Sequence, residues 1–209
     1  MIPMRYRFLM AMSSILLLGG CFGDAIKRPS PASYDFTAAL TAPVSAQPSR
    51  LSLRQIEVLA PSWLELPAMQ YVLAYAEAAR REAYAESRWV APPARLLERA
   101  LARRLLSGQE TVAAAGCRLR VELDEFAQIY AAPGSSHALL EVRAMLLAPR
   151  ANELLLRRNF RLSSAAGSNA RAGVLAFTGA SRDLGNQIEH WLNQMADGMP
   201  GLIQRCRLG

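Results

Sequence analysis

Histidine, lysine and cysteine are scarce in this chain of 209 residues: there are two histidines, three cysteines and, among 24 cations, one lysine, Lys27. The motifs of common chemistries are missing too. There is no Gly-x-Ser-x-Gly elbow, no phosphate-cradling glycine loop, no dinucleotide fingerprint and no His-Glu-x-x-His. His137 falls beside a turn and His190 next to Trp191, neither with a ligand or catalytic partner at useful spacing. The sequence therefore predicts no enzyme and no cofactor. Long apolar runs are lacking as well. The longest near the start, Phe8 to Leu18, has eleven mostly apolar residues, about 17 Å of helix against a hydrocarbon core of about 30 Å. It is too short to cross a bilayer. A single-signed charge block is also missing, because the arginines are interspersed with acids, as in Arg80-Arg81-Glu82 and Arg118 to Asp124. Nucleic-acid binding has no footprint here, and a solvated mixed-charge surface is the simpler reading.

What is present begins at the N-terminus. Arg5 and Arg7 precede the apolar segment, and Leu18-Gly19-Gly20-Cys21 follows it. This is a secretory signal peptide ending in a lipobox. Leu18, Gly19 and Gly20 are the expected signal-peptidase recognition residues, and the Cys21 thiol is the expected lipidation site, which becomes the new N-terminus once residues 1–20 leave. The formal charge of +7 then falls to +5, since Arg5 and Arg7 depart with the signal. The remaining 189 residues suffice for one domain with a real core.

An exported chain folds where thiols oxidise, and Cys117 and Cys206 are the two that remain. The expectation is a disulfide. Two buried free thiols, or a zinc site built with His137 and His190, are the alternatives; none of the four residues shows the close pairing of metal ligands.

Residues 21–50 are rich in proline, alanine and serine, a composition that reads as a flexible tether with a reach of about 30 Å. Ser33 to Phe36 could start a strand within it. The folded domain is expected over residues 51–209. Leu53 to Ala60 reads as a strand stopped by Pro61, and the loop Pro61 to Pro67 carries Trp63, which either packs under the loop or faces a partner. From Met69 to Val90 helix-forming composition conflicts with the strand-like alternation of Tyr71, Leu73 and Tyr75. Pro92-Pro93 opens a helix with a stripe of Leu96, Leu97, Ala100, Leu101 and Leu105. Three strands follow in a meander: Arg118 to Asp124, Ala138 to Leu146 and Leu154 to Leu162, each with one apolar face. A long amphipathic helix to Asp197 covers them, carrying Val174, Phe177, Leu184, Ile188, Trp191 and Met195, and a tail after Gly198 returns Cys206 to the sheet.

Taken together, the lipobox, Val58-Leu59-Ala60-Pro61 with Trp63-Leu64, Ala68-Met69-Gln70-Tyr71, Arg88-Trp89-Val90-Ala91-Pro92-Pro93, Leu119 to Phe126 with Gln128, and the late helix with Trp191 resemble one family. It is that of the ABC-type transport auxiliary lipoproteins of the paraquat-inducible protein C (PqiC) type, which work with MCE-domain proteins. The resemblance implies an α/β fold, a mixed β-sheet flanked by helices in three layers, and a strand hairpin over residues 69 to 90. It also implies a non-catalytic outer-membrane lipoprotein in a phospholipid transport system. Its partners would be a periplasmic MCE-domain protein and, through it, an inner-membrane ABC permease and ATPase. Phe22, in place of the aspartate that signals inner-membrane retention in many enterobacteria, favours the outer membrane. Trp63, Leu64, Arg88 and Trp89 are the candidate partner-binding residues, with Arg88 stacked on Trp89 at the core margin as the alternative for that pair. Other readings are a lipid carrier with an apolar pocket between sheet and long helix, and a regulator of a cell-wall synthase. The sequence is compatible with a monomer or a homo-oligomeric ring.

Overall fold

A computed structural model describes residues 30–37, 50–106, 116–150 and 153–207. Leu18, Gly19, Gly20 and Cys21, and most of the tether, lie outside the described residues. The architecture is the α/β one that the resemblance implies, a mixed seven-stranded sheet flanked by helices. In chain order the elements are β1 (Ala32–Tyr34), β2 (Leu53–Leu59), a 3₁₀ turn (Ser62–Leu64), β3 (Ala68–Leu73), α1 (Ala74–Glu77) and β4 (Arg81–Trp89). Then come α2 (Pro93–Leu105), β5 (Cys117–Ala132), β6 (Ser135–Leu147), β7 (Leu154–Ala166), α3 (Ala170–Gly198) and α4 (Pro200–Arg207).

β5 is the spine of the sheet. At sixteen residues it is about 50 Å long, enough to pair with two strands in succession along one edge. β2 runs parallel to it from Cys117 to Glu122, and β3 runs parallel to it from Gln128 to Tyr130. Its other edge pairs antiparallel with β6 along nearly its whole length. The β5–β6 hairpin turns on Pro133 and Gly134, whose φ of 78° needs a residue without a Cβ; proline then glycine is the type II signature. β7 completes the meander on the far side, and β4 and β1 complete the near side.

Alternation decides which face is buried. Cys117, Leu119, Val121 and Leu123 point into the core while Arg118, Arg120, Glu122 and Asp124 are partly exposed on the other side. The register shifts between Leu123 and Glu125, and this bulge reverses the phase so that Phe126, Gln128 and Tyr130 continue the buried face. The centre of the core is a four-ring cluster. Phe126 stacks on Phe177 of α3 at 4.0 Å, and Trp89 meets Phe36, Phe126 and Phe177 edge-on at 5.3 to 5.8 Å.

The long helix is tied at its start. The Asn169 side chain accepts the Ala172 N–H at 2.9 Å, satisfying one orphan donor of the first turn. Deeper in, Gln128 Nε2 donates to Ser136 Oγ and to the Gly167 carbonyl at 2.7 and 3.0 Å, while Tyr84 Oη donates to Gln128 Oε1 at 3.0 Å. Burial, with the bond to Tyr130, pushes the Tyr84 phenol well above its ordinary pKa, so it stays a neutral donor. A Cβ on Gly173 would sit 2.3 Å from Gln128 Oε1; glycine is what lets the helix close on this network. Asn169→Ala is expected to cost about 1 kcal/mol of stability, read as a lower urea midpoint with an unchanged slope.

Two sequence expectations change. The chain after Gly198 is a second helix, α4, which carries Cys206 to Cys117 (Cα–Cα 4.8 Å). Leu154, expected on the buried face of the third meander strand, is exposed, because the register shift at Leu146/Leu147 takes the start of β7 out of phase. The ambiguous stretch is a hairpin, β3 antiparallel to β4, whose connection is the single helical turn α1.

Candidate functional site

The partners of β5 leave an interval. β2 stops opposite Glu122 and β3 begins opposite Gln128, so on that edge residues 123–127 have no strand beside them. The loop from Ala60 to Pro67 crosses here. Phe126 N–H, exposed by the interval, donates instead to the Glu125 carboxylate at 2.8 Å. Arg81 of β4 grips that carboxylate with two nitrogens, at 2.8 and 2.6 Å, and donates to Gln70 Oε1 at 3.1 Å. Gln70 Nε2 in turn donates to the Trp63 carbonyl. A continuous chain of bonds thus runs from the sheet to the loop. The bidentate carboxylate holds the Arg81 pKa above its usual value, so this brace keeps its charge.

The loop is fixed at both ends as well. Leu64 N–H donates to the Pro61 carbonyl and Trp89 N–H to the Pro67 carbonyl, each at 2.8 Å. Leu64 is 1% exposed and acts as the pin of the 3₁₀ turn. Its neighbour Trp63 is 54% exposed, and Leu66 is 63% exposed. With Leu59 and Val90 they form an exposed apolar rim near the ends of β2 and β4. Beside the rim lies an open groove of about 400 Å³, walled by Leu59, Pro61 and Trp63 and floored by Glu122, Asp124 and Arg143. Arg143 meets Asp124 through Nε and Nη2 at 2.9 and 2.8 Å and Glu122 at 3.1 Å. An indole held over a polar floor on a braced loop has the form of a protein-contact anchor.

The four candidate partner residues therefore separate. Trp63 is presented on the surface. Leu64 and Trp89 are each 1% exposed, which corrects their assignment: both are core, and a partner could reach them only by opening the fold. Arg88 is exposed and donates from Nε to Ser33 Oγ at 3.1 Å, tying β4 to β1. It points to solvent and is not stacked on Trp89, whose ring lies in the core against Phe36, Phe126 and Phe177. Gln70, Arg81 and Glu125, which hold the loop, carried no local signal, since only the fold brings them together. Cys117 and Cys206 are bonded to each other, so neither thiolate is left for zinc, and among the described residues no three His, Cys, Asp or Glu side chains gather as a metal site. Among them, too, no helix is long and apolar enough to cross a membrane.

A family model described as ABC-type transport auxiliary lipoprotein component matches residues 34–189. No curated protein matches the sequence. Among solved structures, a Xanthomonas campestris protein of the DUF330 family superposes with a TM-score of 0.65 at 18% identity, covering 76% of this chain and 94% of its own. An uncharacterized protein superposes with a TM-score of 0.55 at 14% identity, covering 78% of this chain and 99% of its own. At these identities the two structures speak to the fold.

Proposed function

Because the chain belongs to the ABC-type transport auxiliary lipoprotein component family, we propose that it is the membrane-attached, non-catalytic docking subunit of an envelope phospholipid transporter. In this reading Cys21 carries the lipid and anchors the domain to the periplasmic face of the outer membrane. The domain receives a periplasmic MCE-domain protein whose permease and ATPase sit in the inner membrane, and so supports outer-membrane integrity. A mature lipoprotein carries more than one acyl chain, which makes such an anchor effectively stable where one chain would not. The residues beyond it form the lead that lets the domain reach its partner.

The observation that carries the reading is the exposed Trp63 on a loop braced by Gln70, Arg81 and Glu125. Bracing matters because a pre-ordered contact loop loses little entropy on binding. The carrier alternative needs an apolar cavity between sheet and long helix, and the stacked rings of Phe126 and Phe177 occupy that space.

Trp63→Ala is expected to weaken binding of the purified domain to the MCE-domain protein roughly 30-fold, the scale of a buried aromatic anchor. Its thermal stability should stay within about 0.5 kcal/mol of the parent, because the side chain is exposed. Titration calorimetry with the two purified proteins checks this; unchanged affinity would remove Trp63 from the interface, and no binding by the parent would count against docking. Organic extraction followed by mass spectrometry tests the carrier reading separately, since a carrier would bring phospholipid with it.

A further inference from the structure

We propose that the outer edge of β7 is a second interaction surface, which takes an acidic, extended segment of a partner protein by strand addition. β7 ends the sheet and is thirteen residues long. Among the described residues no backbone hydrogen bond reaches its outer side. Such an edge is a row of unmet donors and acceptors, the natural template for another strand.

The charge on β7 selects the occupant. Arg157 and Arg161 lie on the sheet face away from the long helix, and Arg158 lies on the helix side, its guanidinium 5.3 Å from the Phe160 ring centroid. The strand holds no acid. Glu141 of β6 meets Arg161, which leaves Arg157 and Arg158 uncompensated by any acid on β7 itself.

A second copy fits poorly. Antiparallel self-pairing would gather six arginines in one two-stranded ribbon, and like charges across strands oppose pairing. Head-to-tail pairing with the opposite edge of another copy fails on length, because β1 is only three residues long. On β2 the Val58 N–H is already taken by Glu98 Oε2 at 3.0 Å. A bilayer surface offers phosphates to arginine but no ladder of N–H and C=O groups. An acidic extended peptide satisfies both the edge and the cations. This surface is separate from the Trp63 rim, so either could fail without the other.

The test uses the full lipidated chain in micelles and a blocked thirteen-residue peptide alternating threonine and glutamate, with its threonine–lysine analogue as control. Expected is saturable binding of the acidic peptide, at least on the order of tenfold tighter than the lysine analogue, with new hydrogen-exchange protection confined to alternate amides of β7. The double variant Arg157→Glu/Arg158→Glu should invert that preference, and Arg157→Glu alone, which leaves the Phe160 contact intact, should reduce it. Four results would overturn the proposal: no binding, equal binding of both peptides, protection elsewhere, or concentration-dependent self-association that protects β7 without peptide. Protection by phosphatidylglycerol vesicles but not by the peptide would assign the arginines to the membrane and overturn it as well.

Discussion

Replacing Cys117 and Cys206 together by alanine is expected to lower the unfolding free energy by about 4–5 kcal/mol. The bridge joins residues 89 apart, and in the chain-entropy model closing a loop of that size removes about that much freedom from the unfolded chain. Two local consequences add to the chain term. The bond attaches α4 to the start of β5, where Cys117 N–H donates to the Ser52 carbonyl at 2.8 Å, so its loss loosens the start of β2 against the spine. α4 itself is eight residues long, too short to be stable without what it packs on. Urea unfolding of oxidised parent and double variant gives the difference directly, and hydrogen exchange should show the extra opening concentrated in α4 and β2.

Trp89→Ala carries the other large effect, about 3–5 kcal/mol, the cost of emptying a large aromatic site in a close-packed core. Trp89 contacts three segments that are distant in sequence: Phe36 after β1, Phe126 in β5 and Phe177 in α3. Its removal withdraws the edge-on partner of all three rings, and the stacked pair of Phe126 and Phe177 can only partly close the gap. The expected phenotype is loss of stability with binding unchanged in whatever fraction stays folded. Trp63→Ala should do the reverse, and the contrast between two tryptophans separates core from contact. Calorimetric melting of both variants beside their affinities makes the comparison.

How much of this was legible in the sequence follows from how local each signal is. α2 and α3 read correctly because their apolar stripes have helical period and their starts carry Pro93 and Asn169. β6 and the first half of β5, Arg118 to Asp124, read correctly because alternation is a two-residue rule; the second half of β5 was not assigned, since the bulge between Leu123 and Glu125 reverses the phase. The β3–β4 hairpin did not: Ala74 to Glu86 is helix-forming by composition, and Ala74–Glu77 does make one turn. What extends the rest are pairings across strands, such as Tyr71 Oη donating to Glu82 at 2.6 Å and the rings of Tyr71 and Tyr84 at 4.7 Å. Those are tertiary and leave no periodic trace. The resemblance supplied the hairpin where propensity did not.

The candidate site was half legible for a similar reason. Trp63 and Leu64 are adjacent, and so are Arg88 and Trp89, but neighbours in an extended or 3₁₀ segment point in different directions, so one of each pair is outside and the other inside. Sequence gives the pair and the fold gives the direction. The interval in β5 that the loop covers depends on where β2 ends and β3 begins, and the Glu125–Arg81–Gln70 brace depends on three strands at once. The free edge of β7 is a property of strand order, which no local pattern encodes.

The most direct test of the docking account is a photo-crosslinking amino acid placed at Trp63 in the lipidated protein in living cells. The account predicts, on irradiation, one dominant covalent adduct with a periplasmic MCE-domain component of the transporter, absent when the crosslinker is moved to Leu175, exposed on the outer face of the long helix α3. Adducts with no transporter component, from a protein that is folded and lipidated, would contradict it.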